Sequence, residues 1–171
     1  MNAARNAVLM VLVAFAVVAQ AVIFRYVNID GVVPNLALVI VVAAAIARGS
    51  QFASVLGFAT GLLLDLAPPA DHVAGRWALA LVIVGYLAGR VRQDARNSPL
   101  TAVVLVGAMS FVSTSIYALS GVFLADGTLP VDATLRVIVI SMLWDLMLAP
   151  FLVPVLLLVL DRLRPAHLAH G

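Results

Sequence analysis

Residues 49–65 read GSQFASVLGFATGLLLD, and this stretch holds the most informative pattern of the sequence. Small residues recur at every fourth position and end in an acid, along one face of a predicted helix: Gly49, Ala53, Gly57, Gly61 and Asp65. Small residues at this spacing let a second backbone approach closely, as in pairs of membrane helices. We expect this face to pack inside the chain's own bundle, and a partner's transmembrane helix is the alternative.

The composition around this stretch is that of a membrane protein. Hydrophobic residues make up 64% of the 171 residues and charged residues 11%, against about 45–50% and about 25% in an average soluble domain. So few polar residues do not cover a water-soluble surface. The net charge of +2 gives no basic surface for nucleic acid, and the absence of cysteine excludes disulfides and thiolate sites.

Apolar stretches near the length of a membrane crossing, about 20 residues, predict a single all-α domain over residues 1–171. The predicted bundle has six transmembrane helices, at about 7–24, 32–47, 52–67, 73–89, 100–125 and 137–160. The middle three are short. Residues 19–21 also have the small-x-small form of a signal-peptide cleavage site, but the first apolar run is about as long as a full span, so we expect it to be retained.

Arginine placement predicts the orientation. With a cytoplasmic N-terminus, the inner segments carry Arg5, Arg48, Arg90, Arg92, Arg96, Arg162 and Arg164, and the outer segments carry Arg25, Arg76 and Arg136. This excess follows the positive-inside rule. We therefore expect a multi-pass protein of the cytoplasmic membrane with both termini inside.

Charged residues within the predicted spans need partners. Asp145 lies about eight residues into the sixth span, where an ionisable group costs about 2.5–3.5 kcal/mol. In this topology Asp65 and Asp145 lie in the outer half with Arg76 and Arg136. We expect pairing between these acids and arginines, first of all Asp65 with Arg76. A proton or ion pathway through the two acids is the alternative.

Other polar residues suggest binding rather than catalysis. The fifth span carries hydroxyls, among them Ser110, Ser113 and Tyr117, which bond across helices or line a cavity. No histidine lies near an intramembrane serine, so a buried serine has no catalytic base and we expect no enzyme. We also expect no cofactor and no metal site. The loop with Arg90, Arg92 and Arg96 is a cationic platform for anionic lipid or a cytoplasmic partner, or a determinant of topology alone.

Several segments together resemble one family. They are Pro34-Asn35-Leu36, Arg48-Gly49, the run from Gly57 to Leu66, Gly75, and Gly85-Tyr86-Leu87 with Gly89-Arg90, followed by Leu148-Ala149-Pro150 in the last span. This pattern is similar to that of the bacterial rod shape-determining protein MreD family. Asn35 stands where the family commonly has Asp, and the loop after Asp65 lacks the usual Gly and Ser residues.

The resemblance implies a non-catalytic subunit of the cell-elongation machinery in the bacterial inner membrane. It implies binding to MreC, a single-span protein, within an assembly that also holds MreB, RodA and a transpeptidase penicillin-binding protein and that builds peptidoglycan. It also implies a fold similar to the substrate-binding subunits of energy-coupling-factor transporters. A solute-capture subunit of such a transporter, with Ser113, Tyr117 and Asp145 lining a pocket, is the alternative function, and an ion-coupled carrier is a weaker one.

Overall fold

The computed structural model describes residues 11, 13–15, 18, 20, 31–67, 73–124 and 130–162. Its helices are α1 (Leu36–Arg48), α2 (Ser50–Leu66), α3 (Arg76–Arg90), α4 (Arg92–Asn97), α5 (Pro99–Phe123) and α6 (Val131–Arg162). Most of the predicted first span, about 7–24, lies outside the described residues. The individual residues described there, from 11 to 20, are helical.

The other predicted spans correspond to helices, with two differences. Helix α6 begins at Val131 rather than near residue 137, because the polar first turn with Asp132 and Arg136 continues the helix beyond its apolar part. The short helix α4 occupies the loop that was expected between the fourth and fifth spans. Pro99 separates α4 from α5, since a proline disfavours helical conformation in the residue before it, and Ser98 is extended.

Helix α1 forms the centre of the bundle. Every residue from Ala37 to Ala47 is buried, and α1 packs against α2, α3, α4, α5 and α6. Its four alanines between residues 43 and 47 let these helices approach closely, and a helix that is apolar on all sides is typical of an interior position. The Asn35 side chain caps its first turn, accepting a hydrogen bond from the Leu38 amide at 3.0 Å.

The outward faces of the surrounding helices are also apolar. On α2 the large apolar side chains that are exposed are Val55, Phe58, Leu62 and Leu66. Two of the described helices, α5 and α6, are long and apolar enough to cross a membrane, whereas α1 and α2 are shorter apolar helices. The 13 residues of α1 span about 20 Å, less than the hydrocarbon thickness of about 30 Å. The number of six crossings stays a prediction.

Candidate functional site

Helices α2 and α3 form a hairpin whose backbones touch at glycines. A methyl group at Gly57 would overlap the Leu81 carbonyl of α3. At Gly61 it would overlap Ala78 Cα and lie 2.5 Å from the Trp77 oxygen. Because these neighbours are backbone atoms, they cannot rotate away as a side chain can. The glycines of α2 are therefore required for the close approach of α3.

The contact is reciprocal. A methyl group at Gly85 would lie 2.5 Å from the Ala53 oxygen of α2, and one at Gly89 would overlap the Ser50 backbone. Each helix thus has a Gly-x-x-x-Gly pair that lies against the backbone of the other helix, and the two helices run in opposite directions. The alternative that this face accepts a partner's transmembrane helix is not supported, since the space against Gly57 and Gly61 is filled by α3.

Gly49 joins α1 to α2 at the opposite end of the same face. Its φ of 89° lies in the left-handed region, which favours glycine, and its amide donates to the Ala45 oxygen at 2.8 Å. A methyl group there would lie 3.0 Å from the Arg92 guanidinium. Gly49 thus allows both the sharp turn and the approach of α4.

Asp65, at the other end of α2, caps the N-terminus of α3. Its carboxylate accepts hydrogen bonds from the amides of Gly75 at 2.8 Å, Trp77 at 3.1 Å and Ala78 at 3.1 Å. Gly75, the residue before α3, has no side chain to do this. First-turn amides have no partner within their own helix, and a negative charge there is favourable. Asp65, which ends the small-residue face of α2, therefore links α2 to the N-terminus of α3.

Asp65→Ala is expected to destabilise the protein because the amide of Gly75 and two amides in the first turn of α3 lose their acceptor. Loss of a helix cap costs about 0.5–2 kcal/mol, and burial of the unpaired donors increases the loss. Thermal unfolding in detergent micelles measures the effect, with exposed Asp94 changed to Ala as the control. Equal melting temperatures for the two variants would contradict the capping role.

Arg76, the first residue of α3, connects this hairpin to α5. Its guanidinium donates to the Tyr117 oxygen at 2.7 Å and to Ser120 Oγ at 3.2 Å, and lies over the Tyr117 ring at 3.9 Å. Trp77 stacks on the same ring. A methyl group at Gly121 would overlap the guanidinium, so Gly121 leaves room for it. Asp65 and Arg76 thus meet at one helix terminus, and a direct ion pair between them stays a prediction.

Asp145 is buried in the middle of α6 and has partners that the sequence analysis did not identify. One carboxylate oxygen accepts a hydrogen bond from the backbone amide of Asn35 at 2.8 Å, and the other accepts one from Ser110 Oγ at 2.6 Å. Within the described part of the chain no arginine contacts Asp145, and Arg136 lies exposed near the start of α6. The expected arginine partner is thus replaced by the N-terminus of α1 and a hydroxyl of α5.

Two buried polar atoms near this residue lack hydrogen-bond partners. They are Ser113 Oγ, one turn after Ser110 on α5, and Trp144 Nε1, next to Asp145 on α6. Both are neutral, and the neighbouring charged group among the described residues, Asp145, already accepts two hydrogen bonds. Tyr117, the third residue of the expected pocket, contacts Arg76 instead.

The basic residues of the predicted inner loop lie where several helices end. Arg96 donates to the Ala47 oxygen at the end of α1 at 3.4 Å and forms an ion pair with Asp161 of α6 at 3.3 Å. Arg92 lies against Gly49, and Arg90 contacts Tyr86. Cations at helix C-termini are favourable, so this end of the bundle, opposite to Asp65 and Arg76, is positively charged.

The comparison with protein families assigns the chain to a family. The family model described as rod shape-determining protein MreD matches residues 3–161. The chain belongs to the MreD family. Comparisons with curated proteins and with solved structures found no match. Since the match covers nearly the whole chain, the protein is a rod shape-determining membrane protein, and the resemblance to this family noted from the sequence is confirmed.

Two contacts of Asp145 in this MreD family member were missed from the sequence. Asn35 and Ser110 hold Asp145, yet neither was expected to contact it. An Asn directly before an apolar run is a signal for a helix start, and it could have identified the α1 N-terminus as a place that attracts a carboxylate. No comparable signal distinguishes Ser110 from the other hydroxyls of α5.

Proposed function

We propose that this protein is a non-catalytic inner-membrane subunit of the rod-shape machinery that binds a MreC-like single-span protein. The observation that carries the proposal is the MreD family match over residues 3–161. In the wider assembly the protein would act with MreB, RodA and a transpeptidase penicillin-binding protein, and would help to organise peptidoglycan synthesis. Its role would be to hold these partners at one place in the membrane.

The internal contacts support a scaffold. The glycine faces of α2 and α3 fill each other, and the buried acids Asp65 and Asp145 hold helix N-termini. A carboxylate that accepts hydrogen bonds from backbone amides is held in one place, whereas a carrier needs acids that exchange ligands during transport. The described polar interior is thus better suited to rigidity than to transport.

The proposed topology has six transmembrane helices and both termini in the cytoplasm. The basic end with Arg90, Arg92 and Arg96 supports it, because the positive-inside rule assigns this end to the cytoplasm. Asp65 and Arg76 would then face the periplasmic side. We also propose that the bundle is similar to the substrate-binding subunits of energy-coupling-factor transporters.

One observation favours solute capture as a second candidate function. Ser113 Oγ and Trp144 Nε1 are buried without hydrogen-bond partners beside Asp145, and unpaired buried donors are uncommon outside sites that hold water or a ligand. A small polar solute would satisfy both. This function would require an ATPase pair as partner in place of a single-span protein.

Depletion of the protein in its own rod-shaped cells tests the proposal. We expect the cells to become round, and we expect rods to return when the native chain is supplied. Fluorescent D-amino acid labelling is expected to show that new wall material loses its organised pattern. Cells that stay rod-shaped but take up less of one solute would contradict the proposal and favour solute capture.

A further inference from the structure

One exposed face of α6 differs from the other apolar faces because it carries two prolines. The residues of this proline face are Met147, Pro150, Phe151, Pro154, Val155 and Leu158, all exposed. The opposite side of α6 packs into the bundle through Asp145, Ala149 and Val153, which are buried. The prolines are thus on the outer side of the bundle.

The prolines leave two backbone carbonyls without their usual donors. A regular helix gives the carbonyl of each residue the amide four positions later, and a proline nitrogen has no hydrogen. The oxygens of Leu146 and Pro150 therefore have no amide donor four positions later. Among the described residues, no side chain is seen to donate to either oxygen. Pro150 and Pro154 are themselves exposed, and Leu146 is half-buried.

The position of these carbonyls makes them unfavourable in lipid. Leu146 and Pro150 precede the end of α6 at Arg162 by about 24 Å and about 18 Å at 1.5 Å per residue. A hydrocarbon core of about 30 Å would enclose both. Lipid tails offer no donor, and the carbonyls freed by proline in a membrane helix are satisfied by neighbouring helices, by Ser or Thr side chains, by ordered water or by local adjustment of the helix. The face thus carries partial negative charge that a hydrogen-bond donor would neutralise.

We propose that the proline face is the docking site for one transmembrane helix of a partner that presents a hydroxyl or amide side chain to the carbonyls of Leu146 and Pro150. Ser, Thr, Asn and Gln are the residues that bond across membrane helices in this way. Apolar side chains of the partner would pack around Met147, Phe151 and Leu158. This inference rests on the proposed function and assigns the single-span partner to α6 rather than to the glycine face of α2.

Site-specific cross-linking tests the contact. Because the chain has no cysteine, an introduced cysteine is the only one in it that can form a disulfide. Phe151→Cys is co-expressed in membranes with the MreC-like protein, which carries single cysteines placed in turn along its transmembrane helix. We expect a disulfide-linked heterodimer at positions one helical turn apart. Leu119→Cys, at a position that is also exposed but lies on α5, is the control and is expected to give none.

Restoring the amides tests the chemistry. Pro150→Ala with Pro154→Ala returns both donors to the helix, so the melting temperature of the isolated protein is expected to rise or stay unchanged. Recovery of the partner is expected to fall about tenfold, as the loss of two interhelical hydrogen bonds requires. Leu119→Ala with Val122→Ala on α5 is expected to leave recovery unchanged.

The outcomes separate this inference from the function on which it rests. Partner recovery that is unchanged in the proline variant, or cross-links from residue 119 and none from 151, would overturn the docking site and leave the proposed function intact. A Phe151→Cys homodimer would assign the face to a second copy of this chain, and no cross-link would assign it to lipid. Failure of the native chain to recover a single-span partner would overturn both proposals.

Discussion

Gly57→Leu combined with Gly61→Leu is expected to prevent the folded protein from accumulating in membranes. Each leucine would be directed at the backbone of α3, where even a methyl group overlaps Leu81 or Ala78. Overpacking a close contact costs about 1–3 kcal/mol when neighbours can shift, and backbone atoms of a helix shift little. Two such sites would remove a large part of a stability of about 5–15 kcal/mol.

Val55→Leu is the matched control for this pair, because it enlarges a side chain on the exposed face of the same helix. Membrane content and the melting temperature in detergent measure both variants. We expect the control to match the native chain and Gly61→Ala alone to give an intermediate loss. A double variant that folds normally and fails only to bind a partner would contradict the internal packing and return the glycine face to a binding role.

Asp145→Ala is expected to give the second large effect. The Asn35 amide and the Ser110 hydroxyl would lose their acceptor in a buried place, at about 1–3 kcal/mol for each unsatisfied donor. The favourable charge at the N-terminus of α1 would be lost as well. Since α1 lies at the centre of the bundle, its loosening would affect every helix packed on it. Denaturation in mixed micelles measures the loss, and exposed Asp132 changed to Ala is the control.

Asp145→Asn distinguishes a structural acid from a proton-carrying one. The amide keeps one oxygen as acceptor, so this variant is expected to be more stable than Asp145→Ala and to restore rod shape at least in part. A proton or ion pathway predicts the opposite pattern, a stable protein that has lost its function. Cell shape and melting temperature, measured on the same variants, therefore decide between the two roles of Asp145.

The sequence predicted the helices and the close-packed face, but not the pairings. The four-residue spacing from Gly49 to Asp65 indicated a face for backbone contact, and the matching pair Gly85 and Gly89 was visible as a weaker signal. Periodicity within a helix does not say which helix fills a groove. That choice depends on the hairpin geometry, which Gly75 and the Asp65 cap determine.

Charge reasoning was less successful. It assigned buried acids to arginines because an intramembrane charge needs a partner, yet Asp145 is held by a backbone amide and a hydroxyl. A helix N-terminus provides partial positive charge and no charged side chain, so counting arginines does not reveal it. The short helix α4 was missed because a six-residue element is too short for hydrophobic periodicity.

The proposed scaffold function is tested by affinity purification of the tagged native chain from gently solubilised membranes. All proteins and small molecules that bind to it are then identified. A scaffold of the rod-shape machinery is expected to recover a MreC-like single-span protein in stoichiometric amount and no tightly bound solute. Recovery of an ATPase pair or a bound solute, without the single-span protein, would contradict the account.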